Sequence, residues 1–519
     1  MDTNKNLTKK IPKEVSHVTD TLEKAGFEAY LVGGCVRDLL MDMKPKDWDV
    51  ATNAIPEQII ALFEKTIYEN DFGTVGVCVP RLSAKALASA DETNSQDVSR
   101  ETSEYVVVEV TPYRTEAKYS DFRHPDGVKF SDKIDEDLQR RDFTINAMAY
   151  RKNSVMDIYG GLKDIKDKMI RTVGNPDDRF AEDALRMLRA VRFAVQLDFS
   201  ISKETIESIL KNAELIKKIS TERIHDEFVK IIMSKNPAAG IMLLQKFNLL
   251  KNIIPELEEG IGCEQLGEHI YDVWEHLLHA LQHAADKDWS LEIRLSALFH
   301  DIGKPRTRRL MSSVRGEAKN LKKKFTFYGH EVVGARIAKK IMERLKFPKK
   351  EIDLVEKLVR NHMFFSDTEL ITLSAVRRII TKVGAENIWL LMNIRECDRV
   401  GMKKKEAPYR LRKYFAMIEE ALRDPISARQ LKINGEFMMK ELDIKPSPRM
   451  GWILNALLEE VLDAPEKNTV EHLSELVKSL NMLGDEELKI LGDRGKEKKE
   501  ELEEEEVAKL HQKHGVRKS

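Results

Sequence analysis

The chain has 519 residues, too many for one hydrophobic core, so several domains are expected. Apolar residues make up 42% and charged residues 33%, which fits a helix-rich globular protein. No run approaches the ~20 apolar residues of a membrane span. The 86 basic and 87 acidic residues nearly cancel, which excludes a globally basic nucleic-acid binder and leaves that role to local basic clusters. Cys35, Cys78, Cys263 and Cys397 lie far apart without a C-x-x-C pair, arguing against a disulfide framework or structural zinc. The N-terminus is polar and lysine-bearing, with no signal-peptide core, so the expected location is the cytoplasm.

In chain order, residues 13–25 read as an amphipathic helix and Ala29–Val32 as a short buried strand. The strand feeds Gly33-Gly34, a pair that lets backbone approach a phosphate closely. A helix opening at Cys35-Val36 aims unpaired N–H groups there, and Arg37 projects from its first turn. Asp47–Ala51 reads as a second strand that puts the carboxylates of Asp47 and Asp49 on one face, where hard divalent cations find oxygen ligands. Thr74–Val79 and Tyr105–Thr111 form a predicted long hairpin. Between them Arg81–Glu104 is polar and reads as an insertion at the hairpin tip. Glu109 is either a third metal carboxylate or an outward-facing strand residue. Arg140 and Arg141 precede Asp142 and Asn146, and guanidinium forks of this kind suit phosphate and ribose hydroxyls.

From Leu162 onward helical periodicity dominates, with helices expected over Glu182–Leu197, Ser202–Lys218 and Glu222–Met233. Arg186, Arg189 and Arg192 recur every three residues and form a ridge on the first of these. Asp183 and Arg186 stand one turn apart, offering an acceptor and donors that match the Watson–Crick edge of cytosine or adenine. Farther on, seven of the thirteen histidines fall between His269 and His362. The ordered set His276, His300-Asp301, His330, His362 and Asp398 combines imidazole with carboxylate, which suits Mn, Fe, Ni, Zn or Mg. Lys304–Lys324 and Met402–Lys413 are basic clusters expected to meet RNA phosphates. Leu411–Met482 is helical again, and Arg494–Ser519 reads as a solvated single helix or a disordered tail.

Three stretches, LVGGCVRDLL at 31–40, Asp47-Trp48-Asp49 and RRDFTINA at 140–147, resemble the signature of the class II tRNA nucleotidyltransferase and bacterial poly(A) polymerase family. The likeness covers roughly residues 20–260 closely and the remainder by looser pattern. It implies an α+β fold, a small mixed-sheet head followed by all-helical neck, body, HD domain and tail. The corresponding boundaries are 1–150 (head, with insertion 81–104), 151–261 (neck and body), 262–405 (HD domain), 406–493 (tail) and 494–519 (charged extension). By resemblance, Asp47 and Asp49 bind catalytic Mg²⁺, Gly33, Gly34, Arg37 and Arg140 hold the triphosphate, and Asp142 and Asn146 face the sugar. Asp183 and Arg186, with Arg189 and Arg192 on the same ridge, act as a protein template selecting CTP and ATP.

The segment Tyr113–Asp126 resembles the flexible loop of CCA-adding enzymes and favours full CCA addition. The histidine set resembles the HD phosphohydrolase superfamily, with a divalent metal on His276, His300, Asp301 and Asp398 and a second on positions matching His330 and His362. The expected partners are tRNA, CTP and ATP, with no membrane and no DNA. Rival expectations are a poly(A) polymerase, an enzyme adding only A or only CC, and an HD phosphohydrolase with a nucleotide- or RNA-sensing head.

Overall fold

The computed structural model describes residues 7–68, 73–81, 105–116, 128–265, 270–310, 325–363, 372–400, 408–423 and 431–516. Nearly all of the 81–104 insertion, most of the Tyr113–Asp126 loop, most of the Lys304–Lys324 cluster and half of the Met402–Lys413 cluster lie outside these residues. The chain divides into two units, one of residues 1–360 with 396–401, the other of residues 361–395 with 402–519.

In the first unit a seven-stranded sheet is built from β1 (Ala29–Val32), β2 (Asp49–Thr52), β3 (Thr66–Tyr68), β4 (Val75–Pro80), β5 (Tyr105–Pro112), β8 (Met148–Arg151) and β9 (Ser154–Asp157). A separate ribbon pairs β6 (Arg114–Glu116) with β7 (Val128–Phe130). The sheet order is β3-β4-β5-β2-β1-β8-β9, mixed because β2 and β5 run parallel while their neighbours are antiparallel. The expected strands and hairpin are therefore present. Asp47 is not on β2, however, because the strand starts at Asp49 and Asp47 sits in the exposed bend before it. One sheet face buries Val75, Val77, Val79, Val108 and Val110 against the helix Lys13–Lys24, whose Val15, Val18 and Leu22 face inward.

Beyond Gly161 the unit is helical apart from short two-residue ribbons. A continuous core runs from Phe143 to Val359, so the helices following the sheet share one interior with those carrying the histidines. The expected helix over Glu182–Leu197 is instead two, Pro176–Glu182 and Leu185–Leu197. No glycine or proline marks the break. Asp183 is extended there (φ −145°, ψ 101°), and its carboxylate accepts from the Leu185 N–H at the new helix start. Ser202 caps Lys203–Asn212 through the Thr205 N–H, and the expected Ser202–Lys218 helix tightens to a 3₁₀ turn at Ala213–Lys218. Asp272 caps Val273–Asp286 through the Glu275 N–H at 2.7 Å, a bond worth about 1 kcal/mol.

The second unit is helical throughout its described residues. Its core packs Pro448–Asp463 and Val470–Asn481 around Ile453, Leu457, Leu473 and Val477. The charged C-terminal stretch is neither a disordered tail nor a lone solvated helix. It belongs to one helix, Asp485–Lys513, that lies against Pro448–Asp463 where Gly492 and Gly495 leave room for Trp452 and Asn455. Arg494 and Lys498 reach Glu459 and Asp463 on that neighbour. Among the described residues no helix is long and apolar enough to cross a membrane.

Candidate functional site

A cleft of about 840 Å³ opens in the first unit beside the central strands β1 and β2 of the sheet. It gathers Gly33, Gly34, Arg37, Asp47, Asp49, Arg140, Asp142, Asn146, Asp183, Arg186, Arg189 and Arg192, every residue that the sequence assigns to the transfer site. Eleven Arg and Lys line it against five Asp, so a polyanion enters a field of opposite sign.

Gly33 makes the turn possible. Its φ of 73° lies in the left-handed region, and a Cβ there would come within 2.8 Å of Arg141 Nη1 and 3.5 Å of Asp49 Oδ2. Arg141 thus lies directly beneath the glycine turn. Arg140 and Arg141 are both gripped by Asp137, at 2.7 and 3.0 Å. Asp137 is 1% exposed and was not legible as a site residue, because an acid in a helix ordinarily faces water. Burial opposes its charge, but the two guanidiniums outweigh burial and hold its carboxyl below the ordinary value.

A chain of charge-assisted hydrogen bonds crosses the floor of the cleft. Arg37 Nη1 donates to Asn146 Oδ1 at 2.7 Å, and Asn146 Nδ2 donates to Asp142 Oδ1 at 3.1 Å. Asp142 Oδ2 accepts from Arg189 at 2.6 Å. Burial would raise the Asp142 carboxyl, yet the charge of Arg189 and the bonds from Asn146 and Arg189 hold it down at about 2. Arg192 is paired with buried Glu227 at 3.1 Å, and burial together with the charge of Arg189 lowers it to about 10.

Asp183 and Arg186 both face the cleft but are not paired with each other's side chains. Arg223 clasps Asp183 with two bonds, at 3.2 and 2.7 Å. Arg186 donates to Glu182 at 2.7 Å and to the Arg140 carbonyl at 2.9 Å. Arg223 and Glu227 come from the helix Thr221–Ile232, about forty residues downstream, and no local spacing announces them.

Asp47 and Asp49 form the exposed and half-buried members of the carboxylate pair. Burial raises the Asp49 carboxyl, Arg141 opposes the rise and Asp47 adds to it, a load that a bound cation relieves. Glu109 on β5 stands in register with Asp49, which places it on the same sheet face as a third oxygen donor. An all-oxygen set of this kind fits Mg²⁺. Burial pushes the Cys35 thiol up to about 12, so it stays protonated behind the site.

The second constellation also lies in the first unit. His276, His300, Asp301 and Asp398 offer ligand atoms that all lie within 4.8 Å of one another, and all four residues are buried. His276 Nε2 is 3.1 Å from His300 Nε2, and both approach Asp301 (3.5 and 3.3 Å) and Asp398 (3.7 and 3.5 Å). His300 Nδ1 faces the Ala297 carbonyl at 2.8 Å, which fixes the tautomer with Nε2 turned inward. Two imidazoles and two carboxylates converging in this way fit a divalent transition metal.

Gly303 sets the geometry, since a Cβ there would overlap the His330 carbonyl and the backbone of Gly334. His330 Nε2 lies 3.2 Å from Asp301 Oδ1. Lys304, read from the sequence as part of a basic surface loop, is instead buried, with Nζ 2.6 Å from Asp301 and 2.6 Å from Gln265. His279 and His283 point elsewhere, to Tyr271 and Glu396. His362 is a buried residue of the second unit.

Backbone carbonyls tie the two sites together. Arg294, 2% exposed, donates to the carbonyls of Ile232 (3.1 Å), Ser234 (2.9 Å) and Trp289 (2.9 Å). Gln282, on the helix carrying His276, donates to the Lys235 carbonyl at 2.9 Å. Met233, Ser234 and Lys235 line the cleft.

Sheet, glycine turn and carboxylate pair define a nucleotidyltransferase head, joined here to a buried His–Asp cluster of the HD type. Three family profiles match: the poly A polymerase head domain over 29–171, the probable RNA and SrmB-binding site of polymerase A over 198–261, and the HD domain over 273–408. The CCA-adding enzyme of Ligilactobacillus salivarius is 32% identical over 482 residues, covering 91% of this chain and 98% of that protein. That of Lactobacillus delbrueckii subsp. bulgaricus is 46% identical over 221 residues, covering 42% of this chain and 50% of the relative. The chain belongs to the CCA-adding enzyme family. Its fold is shared with the Bacillus stearothermophilus CCA-adding enzyme in complex with CTP (TM-score 0.54, 24% identity, 90% of this chain and 97% of that one). The Thermotoga maritima CCA-adding enzyme complexed with tRNA_CCA also shares it (TM-score 0.50, 18% identity, 92% and 99%).

Proposed function

We propose that the chain is a template-independent RNA nucleotidyltransferase that transfers CMP and AMP from CTP and ATP to the 3′ end of tRNA, releasing pyrophosphate. The observation that carries this reading is the single basic cleft that brings the glycine turn, the carboxylate pair and the Asp183–Arg192 ridge together. The solved relatives of the same fold, one in complex with CTP and one with tRNA, support it. Gly33, Gly34, Arg37 and Arg140 hold the triphosphate, and Asp142 and Asn146 face the sugar. Asp47 and Asp49, with Glu109 beside them, would hold Mg²⁺, which when bound supplies charge neutralisation at the reacting phosphate. Asp183 accepts from the exocyclic amine of cytosine or adenine while Arg186 donates to the ring edge, with Arg189 and Arg192 as their backing.

A tRNA lacking CCA, incubated with CTP alone, ATP alone and both, tests the reading. Two C residues followed by one A is the expected product, and long A tails would replace it with a poly(A) polymerase. Asp49→Ala removes incorporation if the carboxylates do what is proposed; undiminished incorporation overturns the assignment.

The convergence of His276, His300, Asp301 and Asp398 favours a second activity, metal-dependent hydrolysis of a phosphoester at an RNA 3′ end or on a nucleotide. The metal is drawn from Mn, Fe, Ni, Zn and Mg. Opening of a 2′,3′-cyclic phosphate at an RNA 3′ end to the phosphomonoester, lost on chelation and in His300→Ala, is the expected result. We assign the work to residues 1–150, 151–261, 262–405, 406–493 and 494–519 as head, neck and body, HD domain, tail and extension, and place the protein in the cytoplasm with its tRNA and nucleotides.

A further inference from the structure

Asp142 and Asn146, the side chains assigned to the sugar, lie just before and within a single 3₁₀ turn, Thr144–Asn146. The turn's own bonds are two, Asn146 N–H to the Phe143 carbonyl and Ala147 N–H to the Thr144 carbonyl, at 2.9 and 3.0 Å, and 3₁₀ bonds have poor geometry. Its orientation is set by its surroundings. The Thr144 N–H donates to the Arg171 carbonyl at 2.9 Å, and the Asp142 carbonyl accepts from the Val173 N–H at 3.1 Å. One side-chain bond joins them: Thr144 Oγ1 donates to Asp164 Oδ2 at 2.6 Å. Both residues are buried, and Arg171 Nε lies 3.4 Å from Asp164 Oδ1. Asp164 belongs to the short helix Gly161–Lys166. That helix is pressed onto the turn, because a Cβ at Gly161 would overlap the Thr144 carbonyl, and Asp157 anchors its start by accepting the Gly161 and Leu162 N–H groups at 2.7 and 2.9 Å.

Thr144, Asp164 and Arg171 do not line the cleft, whereas Asp142 and Asn146 do. An apolar side chain in place of Asp164 would fill the contact without desolvating a charge. What the carboxylate adds is direction, since a short charge-assisted bond fixes the hydroxyl and with it the turn. We propose that Asp164 is a positioning residue for sugar discrimination: through the Thr144 hydroxyl it holds Asn146 and Asp142 where they distinguish ribose from deoxyribose. The inference rests on the transferase reading and deepens it, placing part of the nucleotide specificity on a carboxylate outside the cleft. The Asn146 amide carries two N–H groups, of which one goes to Asp142 Oδ1 at 3.1 Å. The other is the donor for a 2′-hydroxyl oxygen, and a bond of that kind is lost when the turn that aims it is free to shift by about 1 Å.

Three variants of the full chain test this. Thr144→Val removes the hydroxyl and keeps the volume, Thr144→Ser keeps the hydroxyl, and Asp164→Asn leaves a neutral acceptor. Isothermal titration calorimetry gives the Kd for CTP and for dCTP, with thermal unfolding alongside. Wild type is expected to bind CTP more tightly than dCTP. That preference should fall about tenfold in Thr144→Val, the effect of one lost hydrogen bond. It should fall about threefold in Asp164→Asn, where the bond survives without its charge, and stay at the wild-type value in Thr144→Ser. A purely structural role would lower the melting temperature and weaken both nucleotides alike. An unmoved preference in Thr144→Val therefore overturns the proposal, and if that variant does not fold, an unmoved preference in Asp164→Asn overturns it. A preference lost equally in Thr144→Ser does so too, because the hydroxyl is then not the link, as does a wild type that binds both nucleotides equally. The two readings fail separately: a wild-type protein that incorporates no CMP into tRNA defeats the transferase assignment, whereas normal incorporation with the preference unmoved in the variants defeats only the role of Asp164.

Discussion

Replacing Asp142 with asparagine removes one charge from the middle of the Arg37–Asn146–Asp142–Arg189 chain and leaves its volume intact. The carboxyl is held near 2 against an ordinary 3.8, a difference that corresponds to about 2.5 kcal/mol of stabilisation at 1.36 kcal/mol per unit. Burial opposes this charge, so the net gain comes from Arg189 and the hydrogen bonds of Asn146 and Arg189. An asparagine has one acceptor where two are needed. Turned toward Arg189 its oxygen leaves an amide donor facing Asn146 Nδ2, and turned the other way it sets two donors against each other at the arginine. D142N is therefore expected to lose about 2–3 kcal/mol at pH 7.

A depressed carboxyl stabilises the folded protein fully above its unfolded value near 3.9 and loses that contribution as pH falls through the folded value near 2. The melting-temperature gap between wild type and D142N should hold from pH 7 to about 5 and narrow below about 4. Arg37, deprived of an ordered Asn146, should also hold the triphosphate less well, and kcat/KM for CTP should fall about 10- to 100-fold. Differential scanning calorimetry across pH and CMP incorporation onto a tRNA lacking CCA measure the two effects. Equal melting temperatures at pH 7 together with an unchanged kcat/KM would refute the reasoning.

Gly33→Ala is expected to preserve the fold at a cost of about 1–2 kcal/mol for the left-handed backbone, while displacing Arg141 and raising the KM for both nucleotides; an unaltered KM measured with CTP and ATP would contradict this. Arg223→Ala releases the Asp183 carboxylate from its clasp and should change the ratio of correct to incorrect base incorporated by about tenfold, read by sequencing the extended RNA. Adding Mn²⁺ to metal-depleted protein should raise the melting temperature, by about 2.7 kcal/mol of stabilisation at a hundred times the dissociation constant, and the rise should vanish in His276→Ala. Arg294→Met strips hydrogen-bond donors from three backbone carbonyls, two of them in buried bonds, with an expected loss of about 2–4 kcal/mol, measurable by thermal unfolding.

What could be read from the sequence was whatever is local. The strands, the Gly33-Gly34 turn and the His300-Asp301 pair are each encoded within a few residues; the strands form, though the second opens at Asp49 and not at Asp47, and His300 and Asp301 lie together in a buried cluster. The break at Asp183 escaped detection because aspartate both ends one helix and starts the next by hydrogen bonding to backbone, leaving apolar periodicity intact on either side. Asp137, Arg223 and Glu227 escaped it because their roles depend on partners reached only through the tertiary fold. Lys304 looked like one cation of a basic stretch, and only its burial against Asp301 separates it from its neighbours. The C-terminal helix misled through composition: Gly492 and Gly495 are poor helix formers in water, yet each admits a close crossing with Pro448–Asp463.

Asp398 reaches the His276–His300–Asp301 cluster only after the chain has left the first unit at residue 361 and returned at 396. A stop codon or a protease cut anywhere in that excursion would spare every other member of the quartet and still sever the fourth. Trimming from the carboxyl end thus cannot yield the amino-terminal half with that quartet whole; 361–395 would have to be bridged, not discarded.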